Sequence, residues 1–327
     1  MTLQAMSNST KQAVVLDLKA TDRDDLCLDA LKQPAIDWQM VDQADASEVA
    51  ALIKGKEIVV TNKVVLDRAL LAGATDLKLI CIAATGTNNV DLQAARELGI
   101  DVCNVTGYGT ASVVQYVFTT LLSLVSRIPE YQAAVTAGDW SRSKMFCLLD
   151  FPFHELNGKT LGIVGYGELG KGVAKIAQAF GMKVLIAARD SADKREDRLP
   201  LASLLPAVDV LSLHCPLTEQ TSNLISAKEM QLLPKGAIII NSARGGIVDE
   251  AALLAAIESG HLGGAATDVL ITEPPAQDHI LLQKTYPNLI VTPHIAWASI
   301  ESRQRLFDQV ALNISEYLAG RPRNIVN

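Results

Sequence analysis

Short apolar runs recur along the chain, and stretches with helical spacing separate them. Val14-Val15-Leu16-Asp17, Ile58-Val59-Val60-Thr61 and Leu79-Ile80-Cys81-Ile82-Ala83-Ala84 are brief and continuous, which predicts buried strands. Residues 45–53 and 67–72 between them carry apolar positions at helical intervals. A long helix is predicted over 110–127, ended or kinked at Ile128-Pro129. A polar loop with Trp140, Phe146, Phe151 and Phe153 follows over 138–157, and Asn157-Gly158 supplies a turn. The alternation then restarts, with strands at 160–164, 183–187, 208–213, 237–241, 264–269 and 289–292. A last helix over 299–319 stops at Gly320, with Pro322 just beyond.

Two such runs predict an α/β protein of two doubly wound domains, each a parallel sheet with helices on both faces. The second run carries a glycine-rich loop. It therefore predicts a dinucleotide-binding Rossmann domain at 104–296, inserted into a flavodoxin-like domain made of 1–103 and 297–327.

Composition narrows the class. Of 327 residues, 49% are hydrophobic and 20% charged, enough apolar material for two cores. A net charge of −7 argues against a nucleic-acid binder, which needs clustered Lys and Arg. Cys27, Cys81, Cys103, Cys147 and Cys215 are odd in number and show no Cys-x-x-Cys spacing, so neither a metal site nor a disulfide framework is expected. Met1–Thr10 is polar and lacks a secretory apolar stretch. The longest apolar segment, 113–125, is interrupted by Gln115, Thr119, Thr120 and Ser123 and falls short of the roughly 20 apolar residues of a membrane span. The expectation is a cytoplasmic protein with no membrane partner.

Leu161-Gly162-Ile163-Val164-Gly165-Tyr166-Gly167-Glu168-Leu169-Gly170 is a strand running into G-x-G-x-x-G, with a helix following at once. Gly165 permits the tight turn, Gly167 the close approach of backbone to a pyrophosphate, and Gly170 the packing of helix on strand. The helix N-terminus favours negative charge. The second strand ends Ala187-Ala188-Arg189-Asp190. A carboxylate at that tip would serve NAD, but the position holds Ala188, and Arg189 suits a 2′-phosphate. NADP is therefore preferred over NAD, with Asp190 the competing ribose partner and solvated loop charge the bland alternative for both.

Three later segments complete a pattern: Asn241-Ser242-Ala243-Arg244-Gly245-Gly246-Ile247-Val248-Asp249, Asp268 through Glu273-Pro274-Pro275, and Thr292-Pro293-His294-Ile295-Ala296-Trp297. In order and spacing they resemble the D-isomer-specific 2-hydroxyacid dehydrogenase family over nearly the whole chain. His294 to Trp297 and Thr85-Gly86-Thr87-Asn88-Asn89 are most similar to its glycerate dehydrogenases, also called hydroxypyruvate reductases. The resemblance implies an NAD(P)-dependent oxidoreductase that moves hydride between its cofactor and carbon 2 of a small D-2-hydroxy or 2-oxo acid. Hydroxypyruvate or glyoxylate would be reduced to D-glycerate or glycolate.

Residue by residue, the resemblance makes Arg244 the cation that holds the substrate carboxylate, for which its planar fork is suited. His294 matches the acid/base, a role that suits imidazole near neutral pH. Glu273 matches the carboxylate that orients His294, and formate-oxidising members differ at that position. Thr85, Gly86 and Thr87 match the loop whose N–H groups receive the carboxylate, in the flanking substrate domain. Asn62 and Trp297 would line the same pocket, with a turn after Thr61 as the alternative for Asn62 and packing in core or interface as that for Trp297. Tyr166, Glu168 and Leu169 lie within the cofactor loop, Cys215, Pro216 and Thr221 border the adenosine, and Asp268 meets the nicotinamide amide with Ala243 nearby. A homodimer formed through 110–153 is also implied. The rival readings are a non-catalytic NAD(P)-dependent sensor or corepressor on this fold, and a dehydrogenase of bulkier 2-oxo acids.

Overall fold

A computed structural model describes residues 10–32, 35–190, 192–193 and 195–327. The polar start of the chain up to Ser9 lies outside them. Two compact units form: one from the residues up to Gly109 together with Ala298–Asn327, the other from Thr110–Trp297. The first changeover comes after Gly109 rather than after Cys103, for a local reason. Asn104 Nδ2 donates to Thr85 O at 2.7 Å and Val105 N to Ala84 O at 3.1 Å, which keeps this segment on the first sheet. The second changeover follows Trp297 rather than Ala296.

The first unit holds β1 (Lys11–Val15), β2 (Ile36–Met40), β3 (Ile58–Thr61), β4 (Leu79–Ile82) and β5 (Asp101–Cys103). All pair in parallel in the order β2-β1-β3-β4-β5, the flavodoxin-like winding. Val14, Val59, Ile80, Ile82 and Val102 point to one core, while the alternate residues Ala13, Ile58, Val60, Leu79 and Cys81 are buried on the other face. The helix Ile300–Leu318 buries Leu306, Phe307, Val310 and Ile314 along one stripe. Its Arg303 guanidinium grips Asp25 through two bonds of 2.7 Å and holds that carboxyl well below the usual carboxylate range. β2 and β5 are additions to the expected strands. β2 is an edge strand with a mixed burial pattern, and β5 has three residues, so neither makes a conspicuous apolar run.

The second unit holds β6 (Thr160–Val164), β7 (Lys183–Ile186), β8 (Val210–Leu213), β9 (Ile238–Asn241), β10 (Gly264–Thr267) and β11 (Leu289–Val291), all parallel, in the order β11-β10-β9-β8-β6-β7. Beyond β7, Ala187 bridges Leu199 in parallel, a third strand reduced to one pairing. With it the sheet has the doubly wound dinucleotide-binding order. Side-chain alternation serves two cores. Leu161, Val210, Ile238, Ile240 and Ala266 face the helices Thr110–Val125 and Glu168–Ala179, whereas Leu211, Leu213, Ile239 and Ala265 face Leu253 and Ile257 of the helix Glu250–Glu258.

The long helix ends at Val125, but the chain does not leave helix there for good. Arg127 turns left-handed at φ 54°, and a second helix, Ile128–Thr136, sets off at 59° with Pro129 in its first turn. The expected loop over 138–157 contains a short helix, Asp139–Arg142. No single helix among the described residues is long and apolar enough to cross a membrane.

Candidate active site

The glycine loop leaves the carboxyl end of β6, where strand order reverses between β7 and β8, and enters the helix Glu168–Ala179. This is where ligands bind in open parallel sheets. Gly165 has φ +91°, and a Cβ there would lie 2.5 Å from the His214 carbonyl carbon. A Cβ on Gly170 would lie 2.3 Å from Gly165 O, yet at Gly167 nothing lies within 4 Å. The loop is thus pressed onto protein on one side and open at the helix N-terminus, a cradle that fits a dinucleotide pyrophosphate. Gly165→Ala should destabilise the protein by about 2–4 kcal/mol through a disallowed backbone and a backbone clash. Chemical denaturation of the variant against the wild type measures it.

The neighbours of this loop are ordered by contacts that the motif does not reveal. The Arg198 guanidinium lies 4.7 Å above the Tyr166 ring. Thr110 Oγ1 donates to Glu168 Oε1 at 2.6 Å. Ala188 N bonds Leu199 O, so the strand direction persists to Ala188, and Arg189 and Asp190 follow as exposed residues. Arg189 N donates to Asp193 Oδ2 at 3.0 Å, and Asp190 Oδ1 accepts Ala192 N at 2.8 Å. One Asp190 oxygen is thereby turned onto its own loop.

Beyond β8, burial pushes the Cys215 thiol up and His214 down to about 4. Both side chains are neutral near pH 7, which leaves no thiolate for nucleophilic chemistry. Thr221 Oγ1 donates to Pro216 O at 2.7 Å and closes the 216–221 turn. Beyond β9, Asn241 Oδ1 accepts Ala243 N and its Nδ2 donates to Arg244 O, so one amide shapes the turn that presents Arg244. Arg244 Nη1 donates to Ala243 O at 2.7 Å. A Cβ at Gly245 would lie 1.9 Å from Leu270 O, so only glycine lets the Arg244 turn touch the segment that leads to Glu273.

Glu273 and His294 meet directly: Glu273 Oε2 lies 2.6 Å from His294 Nδ1, and Glu273 Oε1 accepts Leu270 N at 2.9 Å. With Nδ1 bonded to the carboxylate, Nε2 is the ring nitrogen left to exchange a proton with a ligand. His294 has φ 56°, a left-handed conformation that costs a side-chain-bearing residue about 1–2 kcal/mol. Asp268 holds that turn. Its Oδ1 accepts Ile295 N at 2.9 Å and Thr292 Oγ1 at 2.5 Å, its Oδ2 accepts Ala296 N at 2.7 Å, and its backbone carbonyl accepts His294 N. Burial raises the Asp268 carboxyl, and these donors oppose the rise. Tyr116 Oη lies 2.8 Å from Thr292 Oγ1, and Trp297 Nε1 donates to His294 O at 3.0 Å. Tyr116 escaped sequence reasoning because no local spacing marks a pairing across 176 residues.

The remaining candidates belong to the first unit. Asn62 is buried, with Nδ2 on Ala83 O at 2.5 Å and its backbone N–H on the Asp17 carboxylate. Its amide group thus ties β3 to β4. The exposed Thr85 is fixed at the end of β4 by Oγ1 donating to Val105 O at 2.9 Å, with Gly86 and Thr87 half-buried after it.

Residues 118–296 match the family model described as D-isomer specific 2-hydroxyacid dehydrogenase, NAD binding domain. The glycerate dehydrogenase of Methylorubrum extorquens is 45% identical over 279 residues, 85% of this chain and 88% of the relative. The chain belongs to the D-isomer specific 2-hydroxyacid dehydrogenase family. The hydroxypyruvate reductase of Blautia hydrogenotrophica is 39% identical over 321 residues, 96% of this chain and 99% of the relative. Among solved structures, the NADPH-dependent glyoxylate/hydroxypyruvate reductase of Sinorhizobium meliloti, in complex with NADP and malonate, matches with TM-score 0.80 and 26% identity over 97% of each chain. A Thermus thermophilus protein matches with TM-score 0.86 and 33% identity, covering 97% of this chain and all of that one. As a dehydrogenase of this family, the chain is an enzyme with a nicotinamide dinucleotide as its cofactor, built on two parallel-sheet α/β units.

Proposed function

We propose that this dehydrogenase reduces a small 2-oxo acid, hydroxypyruvate or glyoxylate, to the D-2-hydroxy acid. The observation that carries the reading is the 2.6 Å contact between Glu273 and His294, which leaves the outer ring nitrogen to serve as proton donor. The relatives named glycerate dehydrogenase and hydroxypyruvate reductase support the substrate class. The nicotinamide ring, when bound, supplies hydride to carbon 2. Arg244 holds the carboxylate and draws electron density from the carbonyl, and His294 Nε2 delivers the proton to the oxygen. A 2-oxo acid, a proton and reduced cofactor thus become a 2-hydroxy acid and oxidised cofactor. Steady-state assays across glyoxylate, hydroxypyruvate, pyruvate and phenylpyruvate test it, and a preference for phenylpyruvate would overturn the small-substrate reading.

NADP is the preferred cofactor in this reading, because Arg189 stands exposed one residue past the strand tip, where a 2′-phosphate would lie. Replacing Arg189 by alanine should raise KM for NADPH about 10- to 100-fold and change KM for NADH little. Equal losses with both cofactors would assign Arg189 to the loop alone.

The enzyme acts as a cytoplasmic homodimer. Met145, Phe146 and Leu149 are 66%, 87% and 78% exposed on the second unit, three bare apolar side chains within five residues, and exposed apolar groups of this kind mark interaction surfaces. The doubly substituted Phe146→Ser, Leu149→Ser protein should sediment as a monomer while the wild type sediments as a dimer. A wild-type monomer at micromolar concentration would remove this part of the reading.

A further inference from the structure

Glu273 sits on an irregular segment, 270–279, that contains neither helix nor strand pairing. Such a segment would ordinarily sample several positions, yet the proton relay needs Glu273 placed to within a few tenths of an ångström. Two ties near the ends of the segment reach one and the same side chain. Glu250 Oε1 accepts Ile271 N at 2.8 Å, and Glu250 Oε2 lies 3.1 Å from His279 Nε2. His279 Nδ1 accepts Leu281 N at 3.3 Å, which leaves the ring proton on Nε2 to be donated to Glu250. The Glu250 and His279 side chains are each only 13% exposed, which shields the bond between them from bulk water.

Glu250 is itself well anchored. It is the first residue of the helix Glu250–Glu258, behind Asp249, whose carboxylate caps that helix by accepting Ala252 N at 3.0 Å. The start of this helix is thus a fixed point from which one carboxylate reaches both ends of the catalytic segment. Between those ends, Glu273 closes its own turn through Leu270 N and presents its other oxygen to His294.

Building on the reading of His294 as proton donor, we propose that Glu250 is a positioning residue: it clamps both ends of segment 270–279 so that Glu273 meets His294. It touches neither substrate nor cofactor and acts through Glu273 alone. Its chemistry fits the task, because a carboxylate offers two acceptors to two donors, whereas glutamine keeps only one.

The test compares Glu250→Ala, Glu250→Gln, Glu273→Gln and the double variant Glu250→Ala, Glu273→Gln, each as full-length protein. Glu250→Ala should lower kcat about 10- to 100-fold with KM for reduced cofactor within about twofold. The pH profile of kcat should change in the same way in Glu250→Ala as in Glu273→Gln. Glu250→Gln, which keeps the Ile271 bond, should fall between alanine and wild type and guards against a misfolded alanine variant. The double variant should be no slower than Glu273→Gln, because both changes break one relay. A second readout needs no turnover: the downfield His294 ring-proton resonance, assigned by its loss in His294→Gln, should weaken or shift upfield in Glu250→Ala. Additive losses, or a lowered Tm with unchanged pH profile and resonance, would reduce Glu250 to a structural residue and overturn the proposal. A wild type that reduces no 2-oxo acid would instead overturn the functional reading, and the resonance alone would then decide the clamp.

Discussion

Replacing His294 by glutamine should lower kcat for 2-oxo acid reduction by about a thousandfold, with little change in KM for the reduced cofactor. Glutamine keeps much of the side chain's volume and its bond to Glu273, so the loss isolates the proton transfer. The sign of the pH dependence follows from the donor. Reduction consumes a proton, which this reading passes through His294 Nε2, so the rate in the wild type should fall as pH rises. Oxidation of the 2-hydroxy acid releases that proton and should gain over the same interval. The glutamine variant loses both slopes. A variant that kept the wild-type slope at a thousandth of the rate would point to another titrating donor. The neighbouring Asp268 is the first to examine, since burial raises its carboxyl.

The second large effect belongs to Arg244. On the proposed reading, substitution by alanine should lower kcat/KM by about a thousandfold, because the two charge-assisted bonds that reading gives the substrate carboxylate disappear together. Lysine restores the charge but not the planar fork, and recovers only part of that loss. The two variants also separate binding from chemistry. If Arg244 only held the carboxylate, KM would rise and kcat would stand. A fall in both is expected, because the same cation draws density from the carbonyl as negative charge grows on its oxygen. The Asn241 amide and Gly245, which shape the turn beneath it, predict that Gly245→Ala mimics Arg244→Ala without touching the guanidinium.

Much of this was legible before any coordinates, and the omissions have physical reasons. Strands such as Ile58–Thr61 and Ile238–Asn241, buried on both faces, open with unbroken apolar runs that any reading finds. Ile36–Met40 lies at a sheet edge with polar residues alternating outward, and Leu199 makes a single pairing, so neither leaves a comparable trace. The bend after Val125 was visible as Pro129, but the renewed helix was not, since proline in a first turn starts helices as readily as it stops them. Arg244, Glu273 and His294 stood out because each lies in a motif of fixed spacing. Glu250 and Tyr116 did not, since their partners are brought together only by the crossing of strands and loops.

The most direct test of the account is the initial rate of hydroxypyruvate reduction by the purified protein, followed as loss of reduced-nicotinamide absorbance, with NADPH and NADH in parallel and His294→Gln as the control. The account predicts turnover that is faster with NADPH and that collapses in the control. Turnover that survives in His294→Gln, or no turnover with any small 2-oxo acid and either cofactor, would contradict it.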